Sequence, residues 1–352
     1  MSEKVVLSGY YGFGNGGDEA LLLSLLQMLP DSVEPVVLSQ TPSQTSDRYE
    51  VRSCARMDPW GVKQCLSEAR AFIWGGGSLL QDRTSWQSPL YYLSLMGWAQ
   101  QFHLITLAWA QGIGPLQYFW SRGLSRRCLQ ACTAISVRDQ STHQLLNTWK
   151  IAHVMGSDPV WLLRGKSFDA QPQAREATIA LVLRAHPQLT SSRFACLTQA
   201  LQQVQAETHS TILLVPFQWQ DPDHSPDVEI AYQIQKSFPK KSEILLLQDP
   251  RHLRQCFNGI RLVITMRYHG LVMAAAAGCR CFGLSYDPKV SGLLEALGMP
   301  GWDLEAIPMD PDLIYQQWLY CYEQGPYLSE SQIAHWQDKA RIHQQILSAY
   351  LG

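Results

Sequence analysis

The residues of this 352-residue chain best suited to chemistry are two arginines and a histidine placed at the ends of apolar runs. Ser136-Val137-Arg138-Asp139 closes one run. Thr265-Met266-Arg267-Tyr268-His269-Gly270 closes another and opens an Ala-rich stretch. Guanidinium forks match the geometry of carboxylate and phosphate, so Arg138 and Arg267 on matching rims would clamp a small dianion. Each charged hydrogen bond of that kind contributes about 1.5–3 kcal/mol. His269 carries an imidazole, whose ordinary pKa of about 6.5 lets it exchange a proton near neutral pH. A lone arginine is usually a surface ion pair; the two together with His269 favour a site. His103 and His153 fall at strand starts and read as structural.

Glycine-rich turns supply a second signal. Gly12, Gly14 and Gly17 satisfy G-x-G-x-x-G inside GYYGFGNGGDEALL, between a strand-like run and a helix-like run. A dinucleotide site of this form needs an acid near the end of the next strand to hold the ribose. That strand ends Leu38-Ser39-Gln40-Thr41, so NAD or FAD is not expected. The glycines still let the backbone approach a ligand or an opposite domain, and Asp18 complements the positive end of the helix that follows. A tight strand-to-helix turn is the plain structural reading. Gly75-Gly76-Gly77-Ser78, with Asp82 beyond, ends the third run, and Gln111-Gly112 ends the fourth. Open α/β sheets bind ligands at the carboxyl ends of their strands. Glycine turns at successive strand ends therefore outline the wall of a site.

These residues need a scaffold of alternating elements, and the sequence provides one. Apolar runs at 4–9, 35–40, 71–75, 103–109, 134–137 and 151–155 read as buried parallel strands, with helices at 18–29 and near 60–70, 87–101, 117–131 and 139–149. A polar stretch at 163–176 reads as a linker. Strands then resume at 178–184, 210–217, 243–248, 261–266 and 281–286, with helices near 192–208, 226–237, 250–257, 269–277 and 288–297. The expected architecture is α/β and GT-B-like. It has an N-terminal Rossmann-like domain at 1–162, a C-terminal one at 177–327 facing it across a cleft, and a C-terminal helix at 328–352.

Composition narrows the class. Apolar residues make up 46% and charged residues 16%, which excludes bulk disorder. Twenty-eight basic against 30 acidic side chains give a net charge of −2, a poor match to non-specific nucleic-acid binding. The nine cysteines are scattered, form no C-x-x-C pair and read as reduced thiols of a cytosolic protein. A strand starting almost at the N-terminus argues against a signal peptide, and no apolar run reaches the ~18–20 residues of a membrane span.

In this order GYYGFGNGGDEALL, GGGSLLQD, GQGIGP, SVRD, MRYHG and YDPKV resemble the polysaccharide pyruvyltransferase family, in its CsaB-like branch, over nearly the whole chain. The resemblance implies an enzyme that takes phosphoenolpyruvate as donor and builds a pyruvate ketal on a sugar of a cell-wall or surface polysaccharide. For this branch the sugar is N-acetylmannosamine of a lipid-linked glycan, whose ketal anchors surface-layer proteins. It further implies a GT-B-like fold with no metal and no cofactor. Arg138 and Arg267 match the family's donor-binding arginines, and His269 its catalytic or donor-binding histidine. Tyr268 stands where the family usually has Leu. Arg184 matches a recurrent arginine, and Lys289 is an additional phosphate contact. Gly12, Gly14, Asn15, Gly17, Asp18, Gly75, Gly76, Gly77, Ser78, Asp82, Gln111 and Gly112 complete the implied substrate-binding set. Asp18 and Asp82 are candidate bases for the acceptor hydroxyl, or simple helix caps. The expected partners are phosphoenolpyruvate and a lipid-linked or polysaccharide acceptor, not nucleic acid. The expected location is the cytoplasm, with peripheral contact to the inner face of the membrane.

Two other classes compete. A nucleotide-sugar glycosyltransferase shares the layout but should show a ribose-binding acid in the C-terminal half, where the Arg-x-His motif stands instead. A non-catalytic glycan-binding protein would have no reason to keep Arg138, Arg267 and His269 together.

Overall fold

Runs of Val, Ile and Leu too short for helices become buried strands, and the stretches between them become helices with marked starts. The computed structural model describes residues 3–83, 85–166, 177–219 and 225–352. The elements of the first half are β1 (Glu3–Ser8), α1 (Gly16–Met28), β2 (Val33–Ser39), α2 (Pro42–Tyr49), β3 (Arg52–Ala55), α3 (Pro59–Ser67), β4 (Ala71–Trp74), α4 (Gln87–Gln101), β5 (Ile105–Gln111), α5 (Phe119–Gln130), β6 (Ala134–Val137), α6 (Gln140–Trp149) and β7 (Val154–Met155). Those of the second half are β8 (Thr178–Val182), α7 (Ser191–Thr208), β9 (Thr211–Leu214), α8 (Pro226–Ser237), β10 (Ser242–Ile244), α9 (Pro250–Gln255), β11 (Leu262–Thr265), α10 (Tyr268–Ala276), β12 (Arg280–Ser285), α11 (Pro288–Leu297), β13 (Gly301–Asp303), α12 (Pro311–Gln324) and α13 (Glu330–Leu351).

Helix starts follow local chemistry. Helices α3, α9, α11 and α12 each begin with proline after an aspartate whose carboxylate accepts a backbone N–H two residues on. Proline presets the helical φ where its missing N–H costs nothing, and the aspartate satisfies an orphan donor.

The chain divides into two units. One holds the residues up to Phe13, Asp18–Leu163 and His335–Gly352; the other holds Gly14–Gly17 and Arg164–Ala334. Each contains a parallel sheet with interleaved helices. The first sheet runs β3-β2-β1-β4-β5-β6-β7 and the second β10-β9-β8-β11-β12-β13. Both have the doubly wound order that reverses direction beside its first strand, between β1 and β4 in one and between β8 and β11 in the other.

Strand alternation sorts the first core onto two faces. Val6, Phe72, Trp74 and Ala108 pack on one, and Val5, Leu7, Ile73 and Trp109 on the other with Leu347 and Leu351 of α13. In the second unit Ile179, Leu181, Leu262 and Ile264 meet α7 and α12 through Leu201, Val204 and Trp318. Four elements depart from the sequence reading, among them helix α2, a polar eight-residue stretch whose only buried side chain is Thr45. Strand β3 (RSCA) and strand β13 (GWD) lack an apolar run because each is a sheet edge paired on one side only. Helix α12 carries its apolar residues Ile314, Trp318 and Cys321 at helical spacing within a polar stretch. Of the expected linker, 167–176 lie outside the described residues. Among the described residues no helix is long and apolar enough to cross a membrane.

Candidate functional site

At the carboxyl end of the second sheet, strands β8 and β11 pair with Val182 opposite Thr265. Arg184 and Arg267 each follow two residues beyond that last pair, so the register sets them side by side at the reversal point. Arg267 Nη2 donates to the buried Asp227 carboxylate at 2.5 Å. Asp227 also accepts from the amides of Phe217 and Gln218 at 3.3 and 3.2 Å, which fixes it independently of the arginine. Arg184 Nη1 donates to the Tyr286 hydroxyl at 2.9 Å, and its guanidinium lies 5.2 Å from the centre of that ring. The Nε–H groups of Arg184 and Arg267 are both buried with no acceptor among the described residues. A buried cationic donor left unpaired is costly, and Arg193, Arg254 and Arg280 share that feature, so what sets Arg184 and Arg267 apart is their place together at the reversal point.

The turn after β11 is tightly built. Thr265 Oγ1 accepts from the Arg267 amide and donates to the Arg267 carbonyl, both at 3.1 Å. Gly270 has no room for a side chain, because a Cβ would lie 2.6 Å from Thr265 Oγ1. This turn delivers His269 in the first turn of α10, its ring edge-on to Tyr268 at 5.3 Å. Lys289 lies in the first turn of α11, where its amide donates to the Asp287 cap.

Residues Gly14–Gly17 of the first glycine turn are built into this same unit. The Gly16 amide donates to the Phe217 carbonyl at 2.7 Å and the Trp219 amide to the Gly14 carbonyl at 2.9 Å, with Asn15 bridged to Gln218. Asn15 Oδ1 accepts from the Gly17 amide at 3.0 Å. Gly17 is pressed against the imidazole of His269: a Cβ there would stand 2.2 Å from Nδ1.

In the first unit the glycines answer to packing. Gly12 has φ +78°, open to glycine, and its amide donates to the buried Glu19 carboxylate, whose other oxygen accepts from the Tyr49 hydroxyl. Burial pushes the Glu19 carboxyl up, although those two donors oppose it. A Cβ on Gly75 would overlap the Tyr11 hydroxyl, and one on Gly76 would meet Leu21. Gln111 is fully buried and donates through Nε2 to the carbonyls of Gly75 at 2.6 Å and Trp109 at 2.9 Å, and the Gly112 amide donates to the Gly77 carbonyl. Ser78 follows, partly exposed. Asp18 faces this loop, Oδ1 lying 3.5 Å from where a Gly77 Cβ would be.

Asp82 is committed elsewhere. It accepts from the amides of Gln117 and Tyr118 and from the Ser121 hydroxyl at 2.7, 3.1 and 2.5 Å. Burial alone would raise its carboxyl, but the Ser121 hydroxyl and the two amides outweigh it and hold Asp82 below the usual carboxylate range. It stays ionised and braces the loop before α5, capping no helix end.

Arg138 is 8% exposed, and its Nη1 donates to Asp158 at 2.5 Å. It is therefore a held guanidinium, not a free surface fork. Beside it the fully buried His343 of α13 meets Ser136 Oγ at 2.9 Å and the Ser157 carbonyl at 2.8 Å. Burial pushes His343 down to about 4. Among the described residues no three His, Cys, Asp or Glu side chains gather as a metal-binding group.

The family model for polysaccharide pyruvyl transferase matches residues 15–288, from within the first glycine turn to Pro288 of YDPKV. The chain belongs to the polysaccharide pyruvyl transferase family. That match takes in Arg138, Arg184, Arg267 and His269 and ends just short of Lys289. No curated protein matches significantly. Among solved structures, UDP-GlcNAc 2-epimerase from Neisseria meningitidis bound to UDP-GlcNAc aligns with TM-score 0.65 at 9% identity, over 98% of this chain and 100% of that one. A putative UDP-N-acetylglucosamine 2-epimerase from Listeria monocytogenes gives 0.65 at 14%, over 99% and 96%. Anabaena HepE in complex with UDP and glucose gives 0.55 at 10%, over 99% and 97%. At these identities the likeness shows the fold, which is GT-B-like, of α/β class with a C-terminal helix.

For this pyruvyl transferase family member, Asp227, Tyr286 and Asp158 were missed by sequence reasoning. Tyr286 lay inside YDPKV, a signal that was available. Asp227 meets Arg267 across 40 residues, which no local pattern announces.

Proposed function

We propose that the chain transfers the pyruvyl group of phosphoenolpyruvate to a sugar of a cell-wall or surface polysaccharide, closing a ketal and releasing phosphate. The observation that carries this reading is the pair Arg184 and Arg267 at the β8/β11 reversal, each with an unpaired buried Nε–H, beside His269. The donor has a carboxylate and a phosphate, and two guanidinium groups offer each an acceptor-free N–H. Arg138, held by Asp158, is a further donor ligand on the family resemblance, and Lys289 a phosphate contact. These cations do the work a metal would otherwise do, and no cofactor is required.

His269 gives a proton to the methylene carbon of the donor, which makes the central carbon electrophilic. A sugar hydroxyl adds there and loses its proton, with Asp18 as the proposed base. Phosphate leaves, and a second hydroxyl adds to the same carbon and closes the ring. Of the two hydroxyl protons released, one replaces the proton given to the methylene and the other leaves with phosphate.

The proposed acceptor is N-acetylmannosamine of a wall glycan, and the proposed location is the cytoplasm, where the donor is made. The test is phosphate release from phosphoenolpyruvate with a panel of N-acetylmannosaminyl acceptors, with the ketal detected by mass. Turnover of a UDP-sugar with phosphoenolpyruvate untouched would reject the reading in favour of nucleotide-sugar chemistry.

A further inference from the structure

From Arg83 to Arg138 the sequence contains no Asp or Glu, in a chain that has 30 of them. Arg83, Arg122, Arg126 and Arg127 of this stretch are exposed. The same stretch carries the largest aromatic exposure of the first unit's carboxyl-end loops. Phe119 is 87% exposed, Trp86 54% and Tyr118 47%. Trp86, Leu90, Tyr118 and Trp120 line an open pocket of about 390 Å³.

Helix α5 turns its small residues Ser121 and Ser125 inward, so its outward face is Phe119 with Arg122 and Arg126 at helical spacing. The presentation is braced. Asp82 N donates to the Pro115 carbonyl, Gly114 N to the Leu80 carbonyl, and the Asp82 carboxylate holds the loop at 117, 118 and 121. Two loops that follow β4 and β5 are thereby fixed together, with their aromatic side chains outward.

We infer that this face docks on an anionic phospholipid bilayer. Amphipathic aromatic rings settle at the headgroup level, and arginine complements anionic lipid at the same depth. An uninterrupted positive charge on a chain of net charge −2 makes the attraction local and orients the molecule. The face lies on the loops beyond the Gly75–Gly77 turn, so docking would hold that turn near the membrane surface. The inference goes beyond the donor reading and does not need it.

The test is co-sedimentation of the intact purified protein with vesicles, without substrate. Binding is expected to vesicles of phosphatidylglycerol mixed with phosphatidylcholine, weakly to phosphatidylcholine alone, and to fall with salt. Each basic side chain near an anionic leaflet contributes about 1 kcal/mol, so the double substitution Arg122→Gln/Arg126→Gln should weaken binding about 25-fold. Phe119→Ser with Trp86→Ser should weaken it on both lipids, with the thermal midpoint unchanged because these side chains are exposed. Wild-type protein that stays in the supernatant would overturn the inference, as would binding unmoved by either pair. Concentration-dependent dimerisation abolished by the same substitutions, without vesicle binding, would assign the face to a second copy instead.

Discussion

Replacing Gly17 by alanine should damage catalysis without damaging the fold. An added Cβ would stand 2.2 Å from His269 Nδ1, 2.9 Å from Cγ and 3.1 Å from Cε1. To reach the 3.4 Å of ordinary contact, the ring must move about 1.2 Å along that line. The imidazole is a side chain on the first turn of α10, so it can yield by rotating, at small cost to stability. Gly17 itself is in the first turn of α1, where alanine is no worse than glycine for the helix. A misplacement of about 1 Å at a reacting group costs about 10²-fold in rate. Phosphate release at saturating phosphoenolpyruvate should therefore fall about 10²-fold, while the thermal midpoint stays within a few degrees. His269→Ala should lose about 10²–10⁴-fold, and adding Gly17→Ala to it should cost little more, because the ring to be displaced is gone. A Gly17→Ala enzyme with wild-type kcat, or an undiminished further loss in the double variant, would refute the placement of His269 as proton donor.

Arg267→Lys should raise the donor KM about 10- to 150-fold, because an ammonium cannot satisfy Asp227 and the ligand together as a planar fork does; steady-state kinetics checks this. Turnover should survive EDTA, and loss on chelation restored by a divalent ion would count against an arginine-only clamp. His343 is buried neutral with its pKa pushed down to about 4, so the unfolded chain takes up the proton first as pH falls. Stability is full above about pH 6.5, drops by about 2 kcal/mol at pH 5 and by about 3 kcal/mol below pH 4. Denaturant midpoints measured across that range should flatten in His343→Gln.

The sequence carried the strands whose apolar runs are continuous, because central strands of a parallel sheet are buried on both faces. It did not carry β3 or β13, whose residues satisfy one neighbour only. It located Arg184, Arg267 and His269 at strand ends, since strand ends are local events. It did not reveal that Asp227 holds Arg267 or that Asp158 holds Arg138, since each pairing is made by tertiary packing. The glycine turns were legible as turns but not in their cause. Gly75 is glycine because Tyr11 occupies its side-chain space, and Gly17 because His269 does. Asp82 illustrates the opposite limit: its type suited a base, and only its three donors show it to be a brace.

The two sheets share one strand order yet furnish their reversal points differently, and that difference argues for a division of labour. Beside β1 and β4 the chain places glycines, a buried Gln111 amide and the carboxylate of Asp18. Beside β8 and β11 it places Arg184, Arg267 and the imidazole of His269. On the proposed reaction a dianionic donor would be repelled by the first set and drawn by the second, whereas a neutral sugar hydroxyl would need a base and close backbone rather than cations. The buried Arg138 is the exception on the first unit, two strands from its reversal point and already balanced by Asp158. Its charge is offset locally, so an Asp158→Asn substitution, which leaves the guanidinium unbalanced, tests whether it serves the donor or the fold. A tighter donor KM with a lowered thermal midpoint would place it in donor binding; a lowered midpoint with KM unchanged would make it a structural pair.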